Sequence, residues 1–237
     1  MKKTLIVLAL IFGLVYEFAF PNLLIDTESE KVDLSSQSFG GKRFVVIKIR
    51  KNSMDFSVKK RGDVDNDFFM NANFFTPKGE EIGEVTIDGK KVNQKIKCGG
   101  YFYSDGGEPK ISLKRPSNAK FVCQTKYVGI KNGVVNTNIT DTKINKGEAC
   151  RTLIGKNKDG DLLIIHSDNL SLVSMRTISE FGITLGIKTG LLFDGGSSVD
   201  IKLESTDTSY KFKSVPSFAK SIIGTPEPPI YIVGNFK

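Results

Sequence analysis

Apolar and polar positions alternate along several stretches of this 237-residue chain with the period of two that marks a half-buried β-strand. Arg43 to Ile49 is one such stretch, rich in Val and Ile. Others come in pairs joined by turn dipeptides. Asp88-Gly89 lies between Glu84–Ile87 and Lys91-Val92, and Asn132-Gly133 between Tyr127–Ile130 and Val134-Val135. Asp159-Gly160 lies between Leu153–Gly155 and Leu162–Ile165. Asp-Gly and Asn-Gly accept the positive φ of a tight hairpin turn, so each predicts antiparallel pairing of its flanks. One helix stands out. Thr177 and Glu180 have the spacing of a capping box, Ile178, Phe181 and Leu185 share a face, and Gly186 marks the stop. Gly182 lies inside it, at a cost of about 1 kcal/mol. Together these signals predict an α+β fold, a single domain dominated by mostly antiparallel β-sheet with few helices.

The predicted helix leads into Leu191-Leu192-Phe193, an apolar run that stops on Asp194-Gly195-Gly196-Ser197-Ser198. This reads as a buried strand that delivers one carboxylate, two conformationally free residues and two hydroxyls to its end. Backbone amides in such a turn can point together and cradle an anion. The plainer reading is a tight turn capped by its own aspartate. Two further segments set polar groups against apolar ones in the same way: Phe69-Met70-Asn71-Ala72-Asn73-Phe74-Phe75 and Arg151-Thr152-Leu153-Ile154-Gly155.

The first twenty residues differ from the rest. Lys2 and Lys3 precede an apolar segment from Leu5 to Phe20 broken only by Tyr16 and Glu17. That is the pattern of a secretory signal, or of an N-terminal membrane anchor if it is not cleaved, and residues 21–237 form the domain. The expected location is outside the cytoplasm, whether periplasmic, secreted or anchored. The net charge of +8 favours anionic partners such as phosphodiesters, surface polymers, nucleic acid or headgroups. Clusters such as Lys59-Lys60-Arg61, and Lys110 with Lys114-Arg115, read as solvated faces. They lack the interleaved aromatics of a single-strand platform, which argues against nucleic acid.

Cysteine and histidine usage narrows the chemistry. Cys98, Cys123 and Cys150 are odd in number, and spacing alone does not choose a disulfide pair. No two cysteines are close and His166 is the sole histidine, so no metal site or other cofactor is expected. A cysteine nucleophile would need His166, which follows Leu162–Ile165 and reads better as a satisfied histidine at a strand end.

Taken in order, the segments Asn71–Phe75, Arg151–Gly155 and Asp194–Ser198 resemble the boxes of the phosphodiester glycosidase family, over about Phe68 to Val233. Members of that family cleave a sugar from a phosphodiester. The chain departs from the pattern at Ala72 and Asn73, at Thr76 where an aspartate is common, and at Ser197 where the third glycine of D-G-G-G-S stands. The family's late arginine box is matched only loosely by Lys220–Thr225. The resemblance implies an exported hydrolase that cleaves a sugar from a sugar-1-phosphodiester, with a sugar phosphate or envelope glycopolymer as substrate. The alternative is a carbohydrate- or polyanion-binding envelope protein of the same fold.

Chemistry assigns roles within those boxes. The leaving group is a phosphate monoester whose second pKa is about 6, so it needs little protonation on departure. Arg151 is the expected holder of the phosphate through parallel N–H bonds. Asp194 is the expected carboxylate, activating water or steadying the oxocarbenium-like sugar. Asn71, Asn73, Gly195, Gly196, Ser197 and Ser198 are expected to contact substrate. Phe74 and Phe75 read as core or as an apolar wall, and Glu80 or Glu81 as solvated loop residues or a second carboxylate.

Overall fold

The structure, a computed structural model, describes residues 26–62, 65–72, 74–76, 78–94, 96, 99–142, 145–168, 170–214 and 228–237. The predicted signal or anchor, Asn73, Cys98 and the Lys220–Thr225 stretch lie outside them. Three sheets carry the fold, and every strand pair in them is antiparallel. The largest has the order β1 (Asp26–Glu28), β2 (Val32–Phe39), β3 (Lys42–Ile49), β14 (Leu162–Ser167), β13 (Thr152–Lys156), β15 (Gly190–Phe193), β11 (Tyr127–Lys131), β12 (Val134–Val135). A second runs β17 (Ser209–Lys213), β16 (Asp200–Glu204), β5 (Phe68–Asn71), β18 (Ile230–Phe236), β4 (Met54–Lys60). A third runs β7 (Lys90–Asn93), β6 (Val85–Ile87), β10 (Phe121–Thr125), β8 (Gly100–Ser104), β9 (Lys110–Ser112).

The hydropathy pattern explains the layering. Phe44-Val45-Val46-Ile47 in β3 and Leu162–Ser167 in β14 are buried at every position, because the large sheet is covered on both faces. Phe44, Val46, Leu153, Leu163, Ile165 and Leu192 face the helix α2 (Met175–Thr184), which contributes Met175, Ile178 and Phe181. On the opposite face Val45, Ile47, Ile154, Ile164, Leu191 and Phe193 pack against Phe68, Met70, Ile201, Phe212 and Ile232 of the second sheet and Phe102 and Phe121 of the third. Each such side chain, fully buried, stabilises the fold by roughly 1.5–3 kcal/mol. A short helix α1 (Thr137–Thr140) follows β12.

The three expected hairpins form, with Asp88 and Asn132 at φ of 49° and 55° in the first two. The helix starts three residues earlier than expected. Its cap is Ser174, whose Oγ accepts the Thr177 amide at 3.1 Å, so Thr177 lies in the first turn rather than at the cap. Glu180 accepts from Arg176 one turn back instead of closing a capping box. Gly186, at φ 85°, follows the helix as expected. Gly182 has a packing reason: a Cβ there would come within 2.6 Å of Leu153 Cδ2 and 3.0 Å of Ile130 Cδ1. Arg115, expected on a solvated face, makes a two-pronged ion pair at 2.7–3.1 Å with the buried Glu84, which keeps that carboxylate compensated.

His166, the penultimate residue of β14, is fully buried and satisfied, as expected. Its Nδ1–H donates to the Ser167 carbonyl at 3.2 Å and its Nε2 accepts from Tyr210 Oη at 2.6 Å. Burial pushes its pKa down to about 4, against smaller opposing effects of the Ser167 carbonyl and Asp168. Above the ordinary histidine pKa neither folded nor unfolded chain binds the proton there. Between about 6.5 and about 4 the unfolded chain binds more protons, so stability falls as pH falls through that window. Urea unfolding is expected to show a loss of about 2 kcal/mol between pH 7.5 and pH 5 from this group, absent in His166→Gln. An equal pH dependence in the variant would remove His166 as the cause. Gly182→Ala is expected to lower stability by roughly 1–2 kcal/mol despite better helix propensity, since overpacking outweighs the gain. A raised unfolding midpoint would show that Leu153 and Ile130 yield without cost.

Candidate functional site

The site is built where three strands of the large sheet end together. Register pairs Thr152 of β13 with Phe193 of β15, and Tyr127 of β11 with Leu192. One residue beyond each paired end, Arg151 and Asp194 lie across from one another. Leu153 and Leu192 face α2, so the two-residue period puts Arg151 and Asp194 on that same face. Tyr127 packs against the same cluster, edge-on to Phe74 with ring centroids 4.9 Å apart. Arg151, Asp194, Tyr127 and Phe74 therefore form one half-buried surface.

Arg151 is held at both ends. Its backbone amide donates to Ser167 Oγ at 3.0 Å, Nε donates to the Val173 carbonyl at 3.4 Å, and Nη2 to the Gly147 carbonyl at 2.8 Å. Burial pushes the guanidinium pKa down, while Asp194, Tyr127 and Cys150 pull it back up. The neighbouring Cys150 thiol is pushed up to about 11, chiefly by burial and further by Asp168, so it is protonated at neutral pH and is not a nucleophile.

Asp194 opens the turn by which the chain leaves β15 in the large sheet and enters β16 in the second. Its Oδ1 accepts the Gly195 amide at 3.1 Å and its own amide donates to the Ala72 carbonyl at 3.4 Å. Gly195 is required by close approach, because a Cβ there would collide with the Cys150 carbonyl oxygen. Gly196 takes φ 63° and donates its amide to that same carbonyl at 2.7 Å. The Ser198 amide donates to the Gly195 carbonyl at 3.3 Å. The amides of Gly195, Gly196 and Ser198 thus already donate to Asp194, Cys150 and Gly195, instead of pointing together as the expected anion cradle. Ser198 is also buried, whereas Ser197 is half-buried at the turn's outer side.

Asn71 holds this arrangement from beneath. It is 0% exposed; its Nδ2 donates to the Asp194 carbonyl at 2.9 Å and its Oδ1 accepts the Asp200 amide at 3.1 Å. Its place is to fix both ends of the turn, in contrast to the sugar contact expected of it. Phe74 forms part of the wall, and its carbonyl accepts the Ile82 amide at 2.7 Å. Glu80 is exposed and Glu81 bridges to Phe75. Tyr127 was not singled out by sequence, since an aromatic opening a strand reads as core. Asp200 was not either: it is buried against Lys213 Nζ at 3.3 Å and Tyr231 Oη at 3.4 Å. Among the described residues no group of three or more His, Cys, Asp or Glu is placed to hold a metal ion.

The strand ends thus present a guanidinium beside a carboxylate, half-buried, with an aromatic wall. The fold is similar to the zebrafish N-acetylglucosamine-1-phosphodiester alpha-N-acetylglucosaminidase catalytic domain, auto-inhibited by its pro-peptide. That likeness has a TM-score of 0.64 at 12% identity, over 90% of this chain and 86% of that one. A hypothetical protein from Synechocystis is equally similar, with TM-score 0.64 and 12% identity over 88% of this chain and 63% of that one. A Burkholderia pseudomallei protein described as exported has TM-score 0.54 and 11% identity over 90% and 76%. No curated protein matches the sequence. The phosphodiester glycosidase family model matches residues 67–221, a span that runs through all three boxes and includes Arg151 and Asp194. On that match the chain belongs to the phosphodiester glycosidase family.

Proposed function

We propose that this protein is an exported hydrolase that releases a sugar from a sugar-1-phosphodiester, with Arg151 holding the phosphate and Asp194 acting on the anomeric side. The reading rests on one observation above the rest: adjacent strands bring these two side chains together on one face. The Nε and Nη2 anchors of Arg151 orient the guanidinium before substrate arrives, so little side-chain freedom is lost on binding. Asp194, coupled to that cation, supplies the carboxylate that activates water or steadies positive charge on the sugar. The departing phosphate leaves largely unprotonated, which lets one carboxylate serve where glycosidases generally need two. Tyr127 and Phe74 offer an apolar face for the sugar ring, and Ser197 a polar contact. Export is supported by the basic, then apolar, first twenty residues. Among the described residues no helix is long and apolar enough to cross a membrane.

Purified protein incubated with a panel of sugar-1-phosphodiesters is expected to release free sugar. Asp194→Asn is expected to lower kcat by 10²-fold or more, on the order of a lost general base, with the unfolding midpoint unchanged. Arg151→Lys keeps the charge but loses the planar fork, and is expected to raise KM and lower kcat by roughly 10–100-fold. Sugar release that persists in Asp194→Asn would sink the assignment. Wild-type binding without any turnover would favour a carbohydrate-binding protein of this fold instead. Asn71→Ala is expected to cost about 1–3 kcal/mol of stability and to lower kcat more than it changes KM, because it releases the carbonyl of Asp194 and leaves buried groups unpaired. A variant with normal kcat would show that the turn holds its shape without the Asn71 bridge.

A further inference from the structure

A second feature lies between the edges of the other two sheets. The outer strand of the second sheet, β4, and the β6–β7 hairpin at the edge of the third sheet enclose a groove of about 420 Å³. It is lined by Ser57, Val58, Lys59 and Lys60 from one wall, and by Ile87, Asp88, Lys90 and Val92 from the other. Three lysines thus face a single carboxylate. Among the described residues none of Lys59, Lys60 and Lys90 has a salt-bridge partner. Lysines along an edge strand serve to block strand addition, which accounts for cations on either edge alone. It does not account for their convergence, from two different sheets, on one concave surface.

The groove is connected to the reactive residues by a row of neighbouring backbones. The Asp194 amide donates to the Ala72 carbonyl, the Ala72 amide donates to the Ile230 carbonyl, and Ile230 pairs with Lys60 across β18 and β4. Three strand spacings of about 4.8 Å place the mouth of the groove roughly 14 Å from Asp194. A phosphate held by Arg151 does not reach that far, whereas the next anionic repeats of a linked chain do.

We infer that this groove is a subsite for the continuing chain of an anionic glycopolymer, one whose sugars are joined by repeated phosphodiesters, and that the enzyme takes such a polymer in preference to an isolated diester. This rests on the function proposed above for Asp194 and Arg151. The groove's lining contains no aromatic side chain on which a nucleobase could stack, so its chemistry suits a sugar polyphosphodiester better than single-stranded nucleic acid.

The test separates the groove from the reactive residues. The full chain carrying Asp194→Asn, which binds without turnover, is titrated with a fluorescent octameric sugar polyphosphodiester, the matching monomeric diester and oligo-dT. These titrations are repeated with Lys59→Ala, Lys60→Ala and Lys90→Ala combined, and with the three changed to Arg instead. The octamer is expected to bind at least tenfold more weakly to the alanine combination, with its log K against log salt slope reduced by about 2. The arginine combination is expected to restore both, and monomer affinity is expected to be the same in all three proteins. Equal octamer affinity in the alanine combination overturns the subsite. Oligo-dT binding as tight as the octamer, and equally sensitive to the three lysines, also overturns it in favour of a nucleic-acid groove. Turnover of the monomeric diester by the chain with native Asp194 is measured separately. Its absence counts against the proposed hydrolase and leaves the octamer titration to decide the groove.

Discussion

The carboxamide of Asn71 ties two sheets together at the point where they exchange the chain. On one side it grips the carbonyl of Asp194, the last residue out of the large sheet; on the other it takes the amide of Asp200, the first residue into the second sheet. Asn71 and Asp200 are buried, so breaking the bridge leaves the Asp200 amide without a partner of equal quality. Between these two anchors the turn has little freedom. The direction of the Asp194 side chain, the fit of Gly195 against the Cys150 carbonyl and the proximity to Arg151 all follow from it.

That constraint explains a division of labour within the three boxes. Asn71, Gly195 and Gly196 are occupied with geometry: one bridges, one permits contact, one supplies the left-handed bend. Arg151, Asp194, Ser197 and the Tyr127–Phe74 pair remain partly accessible. A box in a sequence therefore mixes accessible residues with residues that hold those in place, and residue type alone does not separate them.

What the sequence makes legible is local. Asp88-Gly89, Asn132-Gly133 and Asp159-Gly160 encode their hairpins because turn conformation depends on a few adjacent residues. The strand ending at Phe193 and the helix before it are equally plain, although Ser174 rather than Thr177 caps that helix, since both hydroxyls offer the same signal three residues apart. Non-local pairing is not legible. Nothing in Phe68–Asn71 announces that it runs beside Ile230–Phe236 and Asp200–Glu204. For that reason the bridging role of Asn71, the approach of Tyr127 to Arg151 and the convergence of Lys59, Lys60 and Lys90 emerge only in three dimensions. His166 illustrates the same limit, because its burial comes from Tyr210 and Phe212, more than forty positions away in the chain.

A site divided between two sheets has a particular relation to the breathing of the protein. Arg151 and Asp194 belong to the large sheet, yet the turn that aims Asp194 is secured from β5 in the second. Fluctuations that fray an edge strand or a hairpin tip leave the pair undisturbed, whereas separation of the two sheets exposes their shared core and dismantles the pair in the same event. The geometry of the pair is thus an attribute of the whole cooperative unit. A form in which the two sheets have parted does not retain it.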